Sequence, residues 1–262
     1  MRIIDFHTHV YPDAIADKAA QSVRKFYEIP GFSLDGKVST LLREGTKAGV
    51  DKFLILPVSL SPDRTRHINQ YILSQLAQES RFVGFGTVHA GQADLMDEVD
   101  FITGSGLRGI KMHPDSQQFD IDDPRLLPMY EAVQGKLPVM LHAGDPRYDY
   151  SHPARIRNIM RQFPQLQVIA AHFGGYRLYE TAYECLREFD NCYFDTSSSL
   201  MFMEPGIAED FINRYGAERF LYGTDYPMWD PAEEWERFTR LGLTAEQKEQ
   251  IAHKTAEALL DI

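Results

Sequence analysis

Short apolar runs alternate along the chain with longer segments whose apolar residues recur every three or four positions. The runs are residues 2–6, 52–58, 82–88, 107–113, 137–142, 167–172, 192–195 and 219–223. Most are apolar throughout instead of alternating, the pattern of strands buried on both faces. The amphipathic segments are residues 13–28, 39–48, 64–78, 123–134, 154–163, 176–189, 205–215, 231–240 and 244–260. In the third of these Ile68, Ile72 and Leu76 fall on one helical face. Thr244 with Gln247 three residues on has the form of a capping box, which marks a helix start.

Eight strands alternating with helices predict an α/β chain folded as a (β/α)8 TIM barrel, a single domain over residues 1–262. An open doubly wound sheet is the runner-up, weakened because no GxGxxG follows the first run. No linker, low-complexity tract or long charge run interrupts the pattern, and 262 residues suit one barrel.

Composition narrows the function classes. With 44% hydrophobic and 25% charged residues the chain is ordinary for a globular protein. A net charge of −11, with no Lys/Arg cluster, argues against nucleic acid and against an anionic membrane surface. It does not exclude a small anionic substrate, since a local metal outweighs a distant field. Cys185 and Cys192 have no CxxC spacing, so two reduced thiols and a cytoplasmic setting are expected. Arg2-Ile3-Ile4-Asp5 leads straight into a strand, which is not the opening of a signal peptide. No run approaches the ~20 apolar residues of a spanning helix. On frequency alone a homodimer is the expected assembly.

In a barrel of this kind chemistry sits at the C-terminal ends of the strands. Five of the nine histidines fall there: His7 and His9 on strand one, His113 on strand four, His142 on strand five and His172 on strand six. Asp195 and Asp225 end strands seven and eight. Side chains at i and i+2 of a strand point the same way, so His7 and His9 aim two imidazoles at one place. Three neutral imidazoles with a carboxylate, His7, His9, His142 and Asp225, suit a divalent metal such as zinc with a position left for water.

The segments DFHTHVYP, GIKMHP, LPVMLHAG, VIAAHFGG and LYGTDYP, spread from residue 5 to residue 227, resemble the amidohydrolase superfamily. The resemblance is to its amidohydrolase-related branch, with aminocarboxymuconate-semialdehyde decarboxylase, resorcylate-type decarboxylases and pyrone-dicarboxylate lactonase. It implies a metal held by His7, His9, His142 and Asp225. It implies for His172 either a second ligand role or acid/base work. Lys111 stands where a carboxylated lysine bridges two metals in binuclear relatives, which would add a second ion with His142 and His172. The other readings of Lys111 are a cation for a substrate carboxylate and a barrel-mouth lysine paired with an acid.

The remaining polar residues each carry a functional and a bland reading. His113 is a substrate contact or a hydrogen-bonded loop histidine. Arg147 and Arg177 are carboxylate binders by their fork geometry or solvated cations. Asp195 orients a ligand or organises the Ser197-Ser198-Ser199 turn. Asp5 is a structural partner for nearby backbone or a group that supports a ligand from behind. His67, His89, His152 and His253 are structural or surface residues. Gly174-Gly175 makes a tight turn.

The leading expectation is a metal-dependent hydrolase of a small ester, lactone or amide, carboxylated or cyclic, working through a metal-activated water with Asp225 and His172 as catalytic residues. The alternative is a metal-dependent non-oxidative decarboxylase of an aromatic or enoate acid on the same site. A catalytically silent barrel that holds a metal or a partner is the third reading, disfavoured by the complete ligand set. No HExxH and no GxSxG is present, so a zincin and a serine hydrolase are set aside. At 262 residues the chain is compact for this branch, leaving little room for long insertions.

Overall fold

In the computed structural model, residues 1–29 and 34–262 are described. In chain order they form β1 (Ile4–Thr8), α1 (Asp13–Tyr27), α2 (Val38–Ala48), β2 (Lys52–Ile55), α3 (Thr65–Leu76), β3 (Phe82–Gly84), β4 (Gly86–Thr87), α4 (Leu95–Gly104), β5 (Ile110–Met112), α5 (Pro114–Gln117), α6 (Leu127–Val133), β6 (Val139–Leu141), α7 (Pro153–Gln162), β7 (Val168–Ala170), α8 (Tyr179–Leu186), β8 (Cys192–Asp195), α9 (Pro205–Tyr215), β9 (Phe220–Leu221), α10 (Pro231–Thr239), α11 (Ala245–Glu249) and α12 (Thr255–Leu260). Every run read as a strand contains one. The third is broken at Phe85 into β3 and β4. The helix α4 follows that broken strand, where the sequence reading placed none. Among the described residues no helix is long and apolar enough to cross a membrane.

The chain divides into two compact units, residues 1–55 with 196–262, and residues 56–195. In the first unit β1 pairs in parallel with β2, Ile4 opposite Lys52 and Asp5 opposite Phe53. The other edge of β1 meets the segment after β9. Phe6 N–H donates to the Tyr222 carbonyl at 2.8 Å, Asp225 N–H to the His7 carbonyl at 2.7 Å, and His9 N–H to the Tyr226 carbonyl at 2.8 Å. Asp5, fully buried, accepts from the Thr224 N–H at 2.9 Å and hydroxyl at 2.7 Å. It thereby ties the start of the histidine strand to the turn that carries Asp225. Phe6, Phe53, Phe220 and Phe238 fill the core of this unit.

The segment read as one helix over 244–260 is α11, a single π-type turn Gln250–Lys254, and α12. Its start has the expected capping box, with the Thr244 hydroxyl accepting from the Gln247 N–H and the Gln247 side chain accepting from the Thr244 N–H.

On α10, Glu234 is buried and paired with Arg237. Burial pushes its carboxyl up to about 7, against the pull of Arg237. An unfolded Glu titrates near 4.5. The folded chain therefore holds this proton more tightly, and the stability so gained below that value is lost as pH rises through 7. Glu234→Gln keeps the shape without the charge. Its stability relative to the parent should improve by on the order of 2 kcal/mol between pH 5 and pH 8. Denaturant midpoints at the two pH values measure this, and an equal offset at both would refute it.

In the second unit β4, β5, β6, β7 and β8 lie side by side, all parallel. Ile110, Val139, Val168 and Cys192 share one level, and Met112, Leu141, Ala170 and Phe194 another two residues on. That register brings His113 and His142 out at the same height just beyond the strand ends, with His172 one residue further along its own. Gly84 and Gly86 flank the break in the third strand. A Cβ on Gly84 would come within 2.7 Å of Ile72 on α3, and one on Gly86 within 2.7 Å of Ile102 on α4. Glycine here lets both helices lie close on the strand. Gln117 spans the interior, donating to the carbonyls of Ser59 and Val88 and accepting from the His113 N–H at 2.7 Å.

Candidate metal centre and catalytic residues

In the first unit three predicted ligands converge. His7 Nε2 and His9 Nε2 are 3.2 Å apart, and Asp225 Oδ1 lies 3.5 Å from the first and 3.4 Å from the second. A tetrahedral ion with bonds of ~2.1 Å separates its ligands by ~3.4 Å. Two imidazole nitrogens and a carboxylate oxygen at this spacing therefore fit three corners of one coordination shell.

Two of the three, His7 and Asp225, are held from behind. The Ser197 hydroxyl lies 2.9 Å from His7 Nδ1, leaving Nε2 turned to the Asp225 side. The Ser198 hydroxyl donates to Asp225 Oδ2 at 2.5 Å and accepts from the Trp229 indole N–H at 2.8 Å. Gly223 backs His7, and a Cβ there would meet the His7 Cβ at 2.8 Å. Asp225 and Ser198 both have left-handed backbone, φ 62° and 48°. Non-glycine residues rarely adopt this region, and the surroundings must over-determine them when they do.

The second unit carries the other two strand-end histidines. His142 Nδ1 and His172 Nε2 face each other at 3.0 Å, both side chains buried. Two imidazole nitrogens at this distance share one proton or turn two lone pairs toward one cation. The backbone of His172 and Phe173 is left-handed, φ 59° and 56°. It is fixed by Asp195, whose Oδ1 accepts the His172 N–H at 3.1 Å and whose carbonyl accepts the Phe173 N–H at 2.9 Å.

His142 Nε2 is 3.5 Å from Asp115 Oδ2. Asp115 is buried, takes both the N–H and hydroxyl of Ser151, and is pushed up to about 6, chiefly by burial. The His113 ring stacks on His142 with centroids 4.0 Å apart and planes 6° from parallel. His113, Asp115 and His142 thus form a tight group. A metal lies in the plane of each imidazole that binds it, so two parallel stacked rings do not both ligate one ion. This group orients His142.

The other predicted residues are placed as follows. Lys111 is buried on β5. His113 caps α5 through Nδ1, which accepts from the Ser116 N–H at 3.4 Å. Arg147 grips Asp145 through two parallel bonds, Nε to Oδ1 at 3.0 Å and Nη2 to Oδ2 at 2.7 Å. Arg177 sits over the Tyr176 ring at 5.3 Å. Sequence reasoning passed over Ser198, Trp229, Asp115 and Asp145 as site residues. The serine run directly after a strand ending in Asp195 was the available signal for the first. Nothing in the local pattern marks Asp115, which is joined to His142 only by the register of β5 and β6.

Comparison with known proteins gives the family. The sequence profile described as amidohydrolase matches residues 4–262. No curated protein matches the sequence. Among solved structures, an uncharacterised TIM-barrel protein of Bordetella bronchiseptica is similar over 100% of this chain and 99% of its own, at 22% identity and a TM-score of 0.83. 5-Carboxyvanillate decarboxylase of Sphingomonas paucimobilis is similar over 100% and 99%, at 17% identity and 0.76. A dihydroxybenzoic acid decarboxylase of Polaromonas, with bound manganese and the inhibitor 2-nitroresorcinol, is similar over 99% and 97%, at 16% identity and 0.77. These likenesses show the TIM-barrel fold that the alternation of strands and helices predicts. With a family profile that spans all but the first three residues, the chain belongs to the amidohydrolase family.

Proposed function

We propose that this chain is a metal-dependent, non-oxidative decarboxylase of a hydroxylated aromatic carboxylic acid. The observation that carries the reading is the state of Asp225. Its Oδ1 faces His7 and His9, and its Oδ2 is committed to Ser198. The hydrolytic scheme asks this carboxylate, already turned to two imidazoles and a serine hydroxyl, also to take a proton from water. A decarboxylase needs it only as a ligand. The fold's likeness to two decarboxylases of hydroxylated benzoic acids supports the same reading.

In this scheme His7, His9 and Asp225, which lie together in the first unit, would hold the ion. A divalent ion there, zinc or manganese, would supply positive charge to oxygens of the acid substrate. His172, with its backbone fixed by Asp195, delivers a proton to the ring carbon. The bond from that carbon to the carboxyl group breaks, its electron pair stays on the ring, the proton takes its place, and CO₂ leaves. Lys111 is the proposed cation for a further anionic group of the substrate. His113, Arg147 and Arg177 are engaged with His142, Asp145 and Tyr176, and any contact they make with substrate is made from those positions.

The test uses hydroxybenzoic acids beside phenyl esters and lactones, with chelated and metal-restored protein. The expected result is CO₂ release from a hydroxybenzoate in restored protein alone, with deuterium from D₂O at the vacated carbon. Ester or lactone cleavage without CO₂ would return the hydrolase reading. Full activity after chelation would remove both.

A further inference from the structure

We infer that Ser198 and Trp229 form a one-way hydrogen-bond relay that positions Asp225 for the metal, so that Trp229 senses whether the ion is bound. The inference rests on the metal-ligand reading of Asp225 given above.

The direction of the relay follows from donor chemistry. An indole N–H only donates, and a serine hydroxyl has one hydrogen and two lone pairs. Trp229 Nε1 lies 2.8 Å from the Ser198 oxygen, so that oxygen is the acceptor. Its single hydrogen is then directed at Asp225 Oδ2, 2.5 Å away. Rotation of the carboxylate is fixed by this bond, and Oδ1 is the oxygen left toward His7 Nε2 and His9 Nε2. The neighbouring Ser197 does the same for a second ligand, at His7 Nδ1. Two consecutive serines thus each set one ligand, and Ser198 does so from a left-handed backbone with a φ of 48°. Trp229 is held in turn by Phe202, edge to face at 6.1 Å between ring centroids. Groups that orient a metal ligand from behind typically change metal affinity 10–100-fold when removed. Neither Ser198 nor Trp229 reaches the reacting atoms in this scheme; both are positioning residues.

The chain has two tryptophans, Trp229 and Trp235, so the indole N–H resonance of Trp229 is assigned by its survival in Trp235→Phe. Zn²⁺ is then titrated into the full chain while that resonance is followed and affinity is measured by calorimetry. The expected result is a Trp229 resonance that moves in step with zinc binding. Ser198→Ala is expected to weaken zinc binding about 10–100-fold and to uncouple the resonance from it. Trp229→Phe, which keeps an aromatic ring but no N–H, is expected to weaken binding by a smaller factor. Zinc binding by the parent chain with a stationary Trp229 resonance would overturn the relay and leave the metal site standing. So would affinity in folded Ser198→Ala within about twofold of the parent. Absence of zinc binding in the parent chain would overturn the metal reading and the relay with it. Should Ser198→Ala not fold, the parent resonance alone decides.

Discussion

Asp225→Asn should lower metal affinity by more than about 100-fold and remove catalysis with it. Groups one step behind a ligand are worth 10–100-fold, and Asp225 is read as the ligand itself. The amide keeps the size of the side chain but loses its charge. Its NH₂ must also face either the two imidazole nitrogens or the Ser198 hydroxyl, whose hydrogen already points at that position. The backbone makes this a clean experiment. Asp225 has a φ of 62°, a region asparagine tolerates better than most residues, so the variant keeps its fold. Metal content after dialysis, calorimetric affinity and a thermal melt separate loss of the ion from loss of structure. A folded Asp225→Asn chain with parental affinity would refute the ligand assignment.

The second large effect is expected at His172. His172→Asn, again suited to a left-handed position, should reduce kcat by about 10²–10⁴ while changing metal affinity by less than about tenfold. The prediction separates the two roles that the sequence left open. A proton donor costs turnover and spares the ion. A ligand costs both, and His172 Nε2 at 3.0 Å from His142 Nδ1 is also placed for that. Collapse of metal affinity in His172→Asn would therefore make His172 a ligand and revive the two-ion arrangement with Lys111. Recovery of deuterated product in single-turnover experiments measures the proton step directly.

The strands were legible because burial on both faces leaves a continuous apolar run, and this fixed where the strand-end polar residues fall. The histidine pair was legible for the same reason, since the two-residue period of a strand sets where His7 and His9 point. The helix α4 was passed over although Leu95, Val99 and Ile102 carry the helical spacing. Gly91-Gln92-Ala93-Asp94 before it and Ser105-Gly106 after it are turn-type residues that interrupt the pattern on both sides. The π-type turn within the last helical stretch leaves no compositional trace. What the sequence could not supply was the support around the ligands. Ser198 reaches Asp225 across 27 positions, and Asp115 reaches His142 through strand register. Such pairings follow from tertiary placement, and local pattern does not encode them.

Three polar residues of the candidate sites, His172, Ser198 and Asp225, have left-handed backbone. Each conformation of this kind costs roughly 1–2 kcal/mol, so together they withdraw roughly 3–6 kcal/mol. A whole domain retains only about 5–15 kcal/mol of net stability. Once selection for chemistry lapses, drift to glycine or asparagine at these three positions relieves that strain, whereas the same drift at buried Phe173 would open a cavity. Among descendants of this chain, these three positions should therefore tell working enzymes from relics: retention of all three marks a lineage still under catalytic selection, and their joint decay to glycine or asparagine marks one kept only for its fold.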